Sequence, residues 1–421
     1  MTRMKDSGNP WVREIPSDWF EKKLRYLVEL RGEKSVTTDY KKYVGLENIM
    51  SQTGQYVQTG IEVDLTENLT FEVGDILFGK LRPYLRKYWR AEFSGTASSE
   101  FVIIKGSSLN LNFLFWAIQS DSFINDVDSS TYGSKMPRAS WEYMKNIKLP
   151  FPESIEEQTQ IADFLDKKVA QLDEVKSLLE EQIKTLEDYR RSLIYETVTK
   201  GLDKTVPLKD SGVDWIGQIP EGWEVKKHKY IMSKTKTLCS HYSGQKILSL
   251  TRQGIISRDI ESGKGKMPAS FDGYQFLTRG DLLLCLFDID VTPRCVGVVE
   301  SDGLTSPAYS RFKVSEDSSV YYYYYLFLSM DDDKVLLHLA KNLRNSLTED
   351  DFGDIETIVP SYKEQVIIAN YLNKKTLLID KLIKLKKEQI ENINKQRQAL
   401  IYDYVTGKRR VRWSTKTTTI L

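Results

Sequence analysis

Short clusters of ionisable and metal-binding side chains are the first places to look for catalytic chemistry in this sequence. Cys239 and His241 stand two positions apart and could supply half of a zinc site, but two further ligands at a suitable spacing are missing. Glu224 and Lys226 match the Glu-x-Lys half of a nuclease metal site, a triplet that is common in charged proteins. A structural or incidental role is favoured for both patterns.

Glycine-rich loops that cradle phosphates need a fixed spacing, which this sequence does not provide. The segment SGKGKMP, residues 262–268, has lysines and glycines at the wrong spacing for a P-loop, and no GxGxxG follows a predicted strand. The Asn/Asp-Pro-Pro-Tyr/Phe stretch of amino-methyltransferases is also absent from the sequence. Three histidines leave little material for imidazole general bases. The sequence therefore predicts a chain without a catalytic centre of its own.

Clustered basic side chains among tyrosines are the stronger candidates for a binding function. Arginine and lysine contact phosphates or guanine edges, and tyrosine can donate to phosphate or pack on sugars. The densest cluster is GKLRPYLRKYWR, residues 79–90, and YGSKMPRAS, residues 132–140, adds a second basic loop. A solvated face with a few core aromatics is the alternative for the first cluster. The candidate DNA-contacting residues here are Lys80, Arg82, Tyr84, Arg86, Lys87, Arg90, Lys135 and Arg138.

The composition is that of an ordinary folded protein without a strong electrostatic bias. Of 421 residues, 40% are hydrophobic and 28% are charged, and 60 basic residues nearly cancel 59 acidic ones. A nucleic-acid surface would therefore be local or shared with a partner. Three cysteines make no disulfide framework, the N-terminus lacks a secretory apolar core, and the apolar run at 282–287 is too short for a bilayer. A cytoplasmic protein without a membrane partner is expected.

The chain is a tandem duplication of a head followed by a helix. Residues 154–199 align without a gap with residues 361–406 at an offset of 207, and 19 of these 46 positions are identical. KDSGNPWVREIPSDWFEKKLRY, residues 5–26, matches KDSGVDWIGQIPEGWEVKKHKY, residues 209–230, at an offset of 204. Because the offsets differ by only three residues, each copy is one unit of roughly 200 residues.

Both repeated segments predict long helices with an apolar seam. Ser154 and Ser361 each open a capping box, and Gly201 and Gly407 stand where helices commonly stop. Such a seam needs a partner, and pairing of the two helices within the chain is favoured over two homodimerising coiled coils. The heptad positions are Leu165, Leu172, Leu179, Leu186 and Leu193 in the first copy and Leu372, Ile379, Ile393 and Leu400 in the second.

A second row of residues is expected to complete this seam. Periodicity does not distinguish a parallel pair of helices from an antiparallel one. Polar residues near the middle of each helix could fix the register. The predicted companion positions are Ile161, Val175 and Tyr189 with Ile368 and Leu382, alongside the polar Gln182 and Gln389.

The heads have diverged but keep matching strand signals. GDILF at 74–78 and GDLLL at 280–284 each follow a polar turn and precede β-prone segments such as FVIIK and VGVVE. YVGLENI at 43–49 and ILSLTRQGI at 247–255 look like corresponding strand-and-turn elements. These patterns predict α/β or mostly β heads. Similar helices with divergent heads indicate one scaffold that carries two different binding surfaces.

The second head is less basic at the place that matches the first basic cluster, since GDLLLCLFDIDVTPR carries Asp288 and Asp290. The five tyrosines at 321–325 could stack on bases, but a buried strand or helix face is favoured. The candidate DNA-contacting residues of this head are therefore scattered: Lys246, Arg252, Lys264, Lys266, Arg294 and Arg344.

Two diverged heads alternating with two similar helices resemble the DNA-specificity subunits of Type I restriction–modification systems. The most specific elements are IPSDW and IPEGW, GDILFGKLRPY, and PESIEEQTQIADFLDKK with PSYKEQVIIANYLNKK, and the resemblance covers essentially the whole chain. It implies an α+β fold in which two target-recognition domains alternate with two long helices that pair as an antiparallel coiled coil. The expected boundaries are 1–151 and 202–359 for the domains, 152–201 and 360–408 for the spacer helices, and 409–421 for a C-terminal tail.

The resemblance also implies a function. In that family each head reads one half of a split site in double-stranded DNA, and the helices set the spacing and dock two modification subunits. The chain itself would be non-catalytic, because S-adenosylmethionine, ATP and magnesium belong to the modification and the restriction (translocase) subunits. One alternative is a coiled-coil scaffold whose heads bind proteins. Another, a self-contained enzyme, would require methylation or cleavage by the isolated chain.

Overall fold

The computed structural model describes residues 3–9, 12–36, 42–59, 67–133, 135–260, 268–340 and 345–411 of the chain. Its mixture of helices and strands confirms the predicted α+β class. The chain divides into two compact units, residues 1–179 with 387–421 and residues 180–386. Each unit therefore holds one head together with a segment of each long helix. In the described ranges, no helix combines the length and the apolar character needed to cross a membrane.

The first head is a set of small, mainly antiparallel sheets with three short helices, and it leads into the first long helix. One four-stranded sheet has the order β4-β11-β8-β9, and a second has the order β5-β7-β10-β6. The strand pairs β1-β2 and β3-β12 complete the head. The elements are β1 (Met4–Asp6), β2 (Glu14–Pro16), β3 (Trp19–Lys23), β4 (Val28–Leu30), β5 (Lys34–Val36), β6 (Tyr43–Val44), β7 (Glu67–Phe71), β8 (Ile76–Gly79), β9 (Tyr88–Arg90), β10 (Gly95–Ala97), β11 (Phe101–Ser107), α1 (Leu111–Ala117), α2 (Asp121–Ser129), α3 (Trp141–Met144), β12 (Lys148–Pro152) and α4 (Ile155–Lys200).

The second head repeats this framework and leads into the second long helix. Its four-stranded sheet has the order β16-β23-β20-β21, and β13-β14, β15-β24, β17-β18 and β19-β22 form pairs. The elements are β13 (Leu208–Asp210), β14 (Gln218–Pro220), β15 (Glu224–Lys227), β16 (Met232–Lys234), β17 (Leu248–Thr251), β18 (Gly254–Ser257), β19 (Gln275–Leu277), β20 (Leu282–Leu284), β21 (Val296–Val298), β22 (Gly303–Thr305), β23 (Ser310–Val314), α5 (Val320–Asp332), α6 (Val335–Leu339), α7 (Glu349–Asp354), β24 (Glu356–Val359) and α8 (Tyr362–Val405).

The corresponding elements that the sequence predicts in the two heads are confirmed. GDILF leads into β8 and GDLLL into β20, and both strands are central in equivalent sheets. Tyr43 pairs in parallel with Thr96, and Ile247 pairs in parallel with Leu304. Both heads therefore keep the strand-and-turn element in the same place. The tyrosine run lies in α5 with Tyr322 and its neighbours buried, so the predicted helix face is confirmed.

Each head has a core of aromatic and branched side chains. The strand β8 is buried along its whole length because the sheet is covered on both faces. Trp19 is fully buried and meets Phe113 of α1 edge to face, with ring centroids 6.3 Å apart. Burial of each large side chain stabilises the head by about 2–3 kcal/mol. Ile161 and Leu165 of α4 belong to this core, so the helix packs directly on the head.

The long helices begin and end where the sequence predicts. The Ser154 hydroxyl accepts a hydrogen bond from the Glu157 amide at 3.2 Å. At Ser361 the capping box is reciprocal, because its hydroxyl accepts from the Glu364 amide at 3.4 Å and its amide donates to that carboxylate at 3.2 Å. Gly201 and Gly407 follow the two helices with φ of 70° and 72°, the left-handed region in which a residue with a Cβ is strained.

The helix segments of the first unit run antiparallel. Asp173 Oδ1 of α4 lies 3.5 Å from Arg397 Nε of α8. Nearer the start of α4, the Phe164 ring lies 4.5 Å from the Tyr404 ring, between centroids. A lower residue number on one helix thus meets a higher number on the other.

The second unit shows the same antiparallel pairing with different residues. Lys386 Nζ donates to Gln182 Oε1 at 2.5 Å, and Arg190 Nε lies 3.4 Å from Asp380 Oδ1. The antiparallel arrangement that the family resemblance implies is confirmed in each unit.

The predicted companion seam is confirmed at Ile161 and Ile368, which are buried, and is wrong by one position at Val175, Tyr189 and Leu382. Val175, Tyr189 and Leu382 are exposed over 47%, 51% and 40% of their surface. In place of these three, the buried residues follow heptad positions by four residues, and they are Val169, Ile183, Ile383 and Arg397. Arg397 conceals the pattern in the sequence, because an arginine can bury its stem when an aspartate lies close to its charged head group.

The heptad residues lie on the paired side of the helices to different degrees. Leu165 and Leu372 are fully buried where they meet the heads, and Ile379 is buried too. The others are half-buried: Leu172, Leu179, Leu186, Leu193, Ile393 and Leu400.

Candidate nucleic-acid interface

Two basic loops of the first head are joined into one platform. The Leu81 backbone pairs with Arg138 in an antiparallel bridge, and Tyr132 pairs with the same residue. The Arg82 amide donates to the Pro137 carbonyl at 2.7 Å. The loops at 80–86 and 132–138, which the sequence suggested separately, therefore form one surface, named here the basic platform.

The platform has a constrained backbone that projects a tyrosine. Arg82 and Arg86 have φ of 51° and 54° and flank the 3-10 turn Pro83–Leu85. Left-handed backbone costs a residue with a Cβ about 1–2 kcal/mol, so the surrounding contacts must impose it. Arg86 is anchored by its ion pair with Asp121, at 2.5 Å. Tyr84 stands at the tip of the turn and is half exposed.

The platform is basic because its cations outnumber the carboxylate among them. The Arg138 guanidinium donates twice to Glu100, at 2.7 and 3.1 Å. Lys80 lies beside the same pair, and burial lowers the pKa of its ammonium group. Arg82 Nη2 donates to the Lys135 carbonyl at 3.0 Å, and the Lys135 side chain is exposed. The cations of this arrangement can donate hydrogen bonds to phosphate oxygens beside an exposed aromatic ring.

Other predicted residues of this cluster have internal partners. Lys87 Nζ donates to the carbonyls of Leu46 and Ile49 at 2.6 and 3.0 Å, and burial lowers the pKa of its ammonium group. The neighbouring Tyr88 and Trp89 are core residues. Arg90 is exposed at the end of β9 and donates to the Asn112 side chain. The ion pair of Arg86 and the two hydrogen bonds of Lys87 therefore support the platform from within the head.

The equivalent loop of the second head has a left-handed residue at the position that matches Arg82, and its charge at that position is opposite. Asp288 takes the place of Arg82, with φ of 48°, and the Ile289 amide donates to the Asn345 carbonyl at 3.1 Å. Asp290 follows where the first head has its exposed tyrosine. The three remaining candidates of this region, Lys264, Lys266 and Arg344, lie outside the described residues.

Arg252 and Arg294 are brought together in a groove of about 860 Å³ in the second unit. Arg252 and Gln253 form the two-residue turn of the β17–β18 hairpin, which Gly254 closes with φ of 102°. A two-stranded β-ribbon with arginine and glutamine at its tip suits base edges in a major groove. Lys246 is exposed elsewhere in the head, where its carbonyl accepts from the Leu304 amide at 2.8 Å.

The same groove contains two arginines that sequence reasoning missed. Arg190 and Arg191 of α4 line it together with acidic residues that include Asp332. Burial raises the pKa of the Asp332 carboxyl group, against the opposing effect of the nearby guanidinium groups. The sequence contained a signal for one of them, because Arg190 is unchanged in the second copy, where Arg397 occupies the matching position at the offset of 207.

The short catalytic patterns have structural explanations. Cys239 is buried, and its thiol donates to the His241 carbonyl at 3.1 Å. Glu224 and Lys226 form an exposed ion pair at 2.7 Å. Within the part of the chain that the structure describes, no group of three or more His, Cys, Asp or Glu could hold a metal ion.

Comparisons with known proteins agree on one family. Residues 16–186 match the family model described as the Type I restriction modification DNA specificity domain. The MjaVIII specificity subunit of a Type I restriction enzyme from Methanocaldococcus jannaschii is 25% identical, over 94% of this chain and 94% of that protein. The EcoDI specificity subunit from Escherichia coli is 22% identical over 45% of this chain and 44% of that protein.

Solved structures share the fold. One, from work on complex assembly and conformational transition of the type I R-M system, superposes with a TM-score of 0.70 at 18% identity and covers 94% of this chain and 99% of its own. The HsdS subunit from Thermoanaerobacter tengcongensis gives a TM-score of 0.50 at 18% identity, over 94% and 98% of the two chains.

Proposed function

The chain belongs to the DNA-specificity subunits of Type I restriction–modification systems, and we propose that each of its heads reads one half of a bipartite DNA site. As a specificity subunit it is the recognition component of a restriction–modification complex, and catalysis belongs to other subunits.

The observation that carries this proposal is the pair of equivalent loops with opposite charge. Both heads hold the loop after the central strand in the same left-handed backbone, at Arg82 and at Asp288. One head surrounds it with lysine and arginine, and the other presents carboxylates. Arginine recognises guanine, whereas aspartate accepts from cytosine. Equal frameworks with different side chains are what two readers of different half-sites require.

The proposed DNA contacts follow from this chemistry. In the first head, Tyr84 and Lys135 are exposed on the basic platform, and Lys80, Arg82 and Arg138 supply further positive charge. In the second head, the hairpin tip and the groove are the best-supported contacts. These two contacts are Arg252 and Arg294. The remaining sequence-derived contacts stay part of the proposal: Arg86, Lys87, Arg90, Lys246, Lys264, Lys266 and Arg344.

The long helices are proposed to set the spacing between half-sites and to dock two modification subunits. In the first unit, Val175 and Leu178 of α4 are exposed over 47% and 51% of their surface. In the second unit, Leu382 and Leu385 of α8, their counterparts at the offset of 207, are exposed over 40% and 46%. Apolar side chains one helical turn apart favour a protein partner. Their repetition supports two copies of that partner.

Partner subunits supply the cofactors in this proposal. S-adenosylmethionine would bind the modification subunits, and ATP with magnesium would serve the restriction (translocase) subunits. Such a complex works on double-stranded DNA in the cytoplasm. The near-zero net charge of +1 fits a chain that shares the phosphate contacts with its partners.

The test combines the full chain with its modification subunit and S-adenosylmethionine on a DNA library, followed by single-molecule sequencing of methylated positions. We expect one motif with two defined halves and a fixed gap. Exchanging the loop at 288–294 for another sequence should alter only one half. The isolated chain serves as the control and should leave DNA unmethylated. Methylation without a split motif, or a complex without DNA affinity, would refute the proposal and favour a protein-binding scaffold.

A further inference from the structure

A small exposed surface is similar on both heads, with a lysine and a tyrosine unchanged and an arginine replaced by a lysine, although the heads differ elsewhere. It lies at the end of β3 in the first head and of β15 in the second, where each strand enters a 3-10 turn. The duplicated face consists of Lys22, Arg25 and Tyr26 in the first head and of Lys226, Lys229 and Tyr230 in the second.

Most residues that the two heads share in this region have a structural reason to be the same. Trp19 and Trp223 are buried in their cores. Asp6 accepts from the Gly8 amide at 2.9 Å, and Asp210 accepts from the amide of the matching glycine at 3.0 Å. Burial and turn formation therefore account for these positions.

The shared Lys23 and Lys227 also have internal partners. Lys23 Nζ donates to Asn146 Oδ1 at 3.3 Å, and Lys227 Nζ donates to Asp354 Oδ1 at 3.1 Å. Both acceptors lie just before the strand that pairs with β3 or β15. These two lysines therefore hold equivalent loops.

The tyrosines of the duplicated face are what remains once packing, turn formation and internal ion pairs are accounted for. The Tyr26 ring is 64% exposed and the Tyr230 ring 71%. The Arg25 guanidinium carbon lies 4.8 Å from the first ring, and Lys229 Nζ lies 5.7 Å from the second. Each head thus presents a tyrosine with a cation over its ring. Since exposed side chains diverge freely unless something binds them, both copies have a common binding role.

The partner of the duplicated face must be the same at both heads. The heads read different half-sites in the function proposed above, on which this inference rests. A lysine and a tyrosine that are the same in both heads cannot distinguish different bases, so base recognition is excluded for this face. A DNA backbone and a protein present in two copies are the partners that meet the requirement.

Charge favours the protein. Lys226 is paired with Glu224 and Lys229 with Asp354, both at 2.7 Å, so the face of the second head is close to neutral. A phosphate clamp needs a net positive charge, which this face lacks in the second head, so phosphate contacts cannot be the role that both heads share. Exposed tyrosine and arginine are the side chains that most often dominate protein–protein interfaces.

We propose that the duplicated face is a docking contact for two copies of one protein, the modification subunit, each copy engaging one head. The partner would supply a pocket for the tyrosine ring and a carboxylate for Lys22 or Lys226. This contact is distinct from the apolar helix positions, and it would hold each modification subunit beside the head whose half-site it methylates.

The experiment mixes the full-length chain with the modification subunit and determines the mass of the complex by native mass spectrometry across a concentration series. Tyr26→Ala and Tyr230→Ala should each weaken one of two binding events at least tenfold, and the double variant should weaken both. Tyr26→Phe should bind normally because the ring is kept. Tyr143→Ala, which alters an exposed tyrosine of the first head outside both the duplicated face and the basic platform, is the matched control and should leave the stoichiometry unchanged. Circular dichroism checks the fold of each variant.

The outcomes separate this inference from the proposed function. If the double variant binds two modification subunits with the same affinity as the unaltered chain, the docking contact alone is overturned. Unchanged stoichiometry with weakened DNA binding by the double variant would also overturn it and would assign the face to the phosphate backbone. An unaltered chain that binds no modification subunit would overturn both.

Discussion

Gln158 and Gln365, which are 207 positions apart, make the same two hydrogen bonds, each within its own unit. The side-chain carbonyl of each glutamine accepts from the amide of the residue that caps a head helix, Asn110 before α1 or Ser319 before α5, at 2.8 Å in both units. Its side-chain amide donates to the carbonyl of the proline that ends the head, at 2.8 and 2.9 Å. The glutamine that follows each capping box therefore fastens a long helix to its head.

Removing this glutamine should destabilise one unit and leave the other intact. Gln365→Ala leaves a buried amide and a buried carbonyl without their partner, which costs about 2–4 kcal/mol. The measurement is hydrogen exchange by mass spectrometry on peptides from α5 and from α1. Protection should fall in α5 alone, and Gln158→Ala should reverse the pattern. Gln171→Ala, on the exposed side of α4, is the control. Equal loss of protection in both heads would contradict the assignment.

Breaking the helix ion pair of the first unit should cost more than breaking its counterpart. The Arg397 side chain is only 6% exposed and lies over the Trp116 ring, with the guanidinium carbon 6.0 Å from its centroid. Asp173→Ala leaves this buried charge without its ion-pair partner, and we expect a loss of about 2–3 kcal/mol in the free energy of unfolding. Asp380→Ala should cost less, because Arg190 is 19% exposed and more easily hydrated.

Urea denaturation of both variants measures this difference. Replacing the pair together, as Asp173→Leu with Arg397→Leu, should recover most of the loss because no unpaired charge remains. Equal losses for Asp173→Ala and Asp380→Ala would show that burial does not set the cost.

His228 should make the second unit sensitive to acid. Burial between Phe327 and Phe352 lowers the pKa of this imidazole from 6.5 to about 4. The unfolded chain therefore takes up the proton at a higher pH than the folded one, and stability declines as pH falls from about 6.5 towards 4. Leu24 occupies the same position in the first head, so His228→Leu is a natural replacement. The loss in unfolding free energy between pH 7 and pH 5 should be about 2 kcal/mol smaller in this variant than in the unaltered chain.

Urea denaturation of both proteins at pH 7 and pH 5 tests this, with hydrogen exchange of α7 peptides to locate the change in the second unit. The first unit serves as an internal reference at each pH. An acid loss as large in the variant as in the unaltered chain would exclude His228 as the cause.

Gly407→Ala should destabilise the chain more than Gly201→Ala. Both glycines have left-handed backbone, which costs an alanine about 1 kcal/mol. At Gly407 the new Cβ would also lie 2.5 Å from Pro16 Cγ, so backbone must shift. At Gly201 the nearest atom belongs to Trp223, at 3.3 Å. We expect about 2–3 kcal/mol against about 1 kcal/mol in urea denaturation. A smaller loss at Gly407 would show that Pro16 moves freely.

Local signals in the sequence were sufficient for the scaffold. Caps at Ser154 and Ser361, glycines after both helices and a constant offset fix the helix limits because each signal depends on neighbouring residues. The strand signals GDILF and GDLLL work for the same reason. The prediction of the companion seam failed at Val175, Tyr189 and Leu382 because the helix face that becomes buried depends on partners far along the chain. From the sequence alone Arg397 is expected at the surface, whereas in the structure it is buried beside Asp173 and Trp116.

The basic platform shows the same limit. Lys80 and Lys135 are distant in sequence, and a bridge between Leu81 and Arg138 brings their loops together. The sequence could name the cations, but it could not separate Lys87, whose ammonium group is held by two carbonyls, from Lys135, which is exposed. Which basic residues remain available to DNA is a property of tertiary packing.

Two substitutions in the basic platform should therefore weaken DNA binding in different ways. Lys135→Ala removes an exposed cation, so it should reduce the magnitude of the salt slope of DNA affinity by about one and leave stability unchanged. Arg138→Ala also removes the partner of Glu100, whose carboxylate accepts two hydrogen bonds from it. It should lower affinity further, because an uncompensated carboxylate then faces the phosphates. Glu100→Gln with Arg138→Ala should recover part of that additional loss. The measurement is fluorescence anisotropy with labelled duplex between 50 and 200 mM salt, a range chosen because phosphate contacts respond strongly there. Equal salt slopes for the unaltered chain and both variants would place the DNA elsewhere on the head.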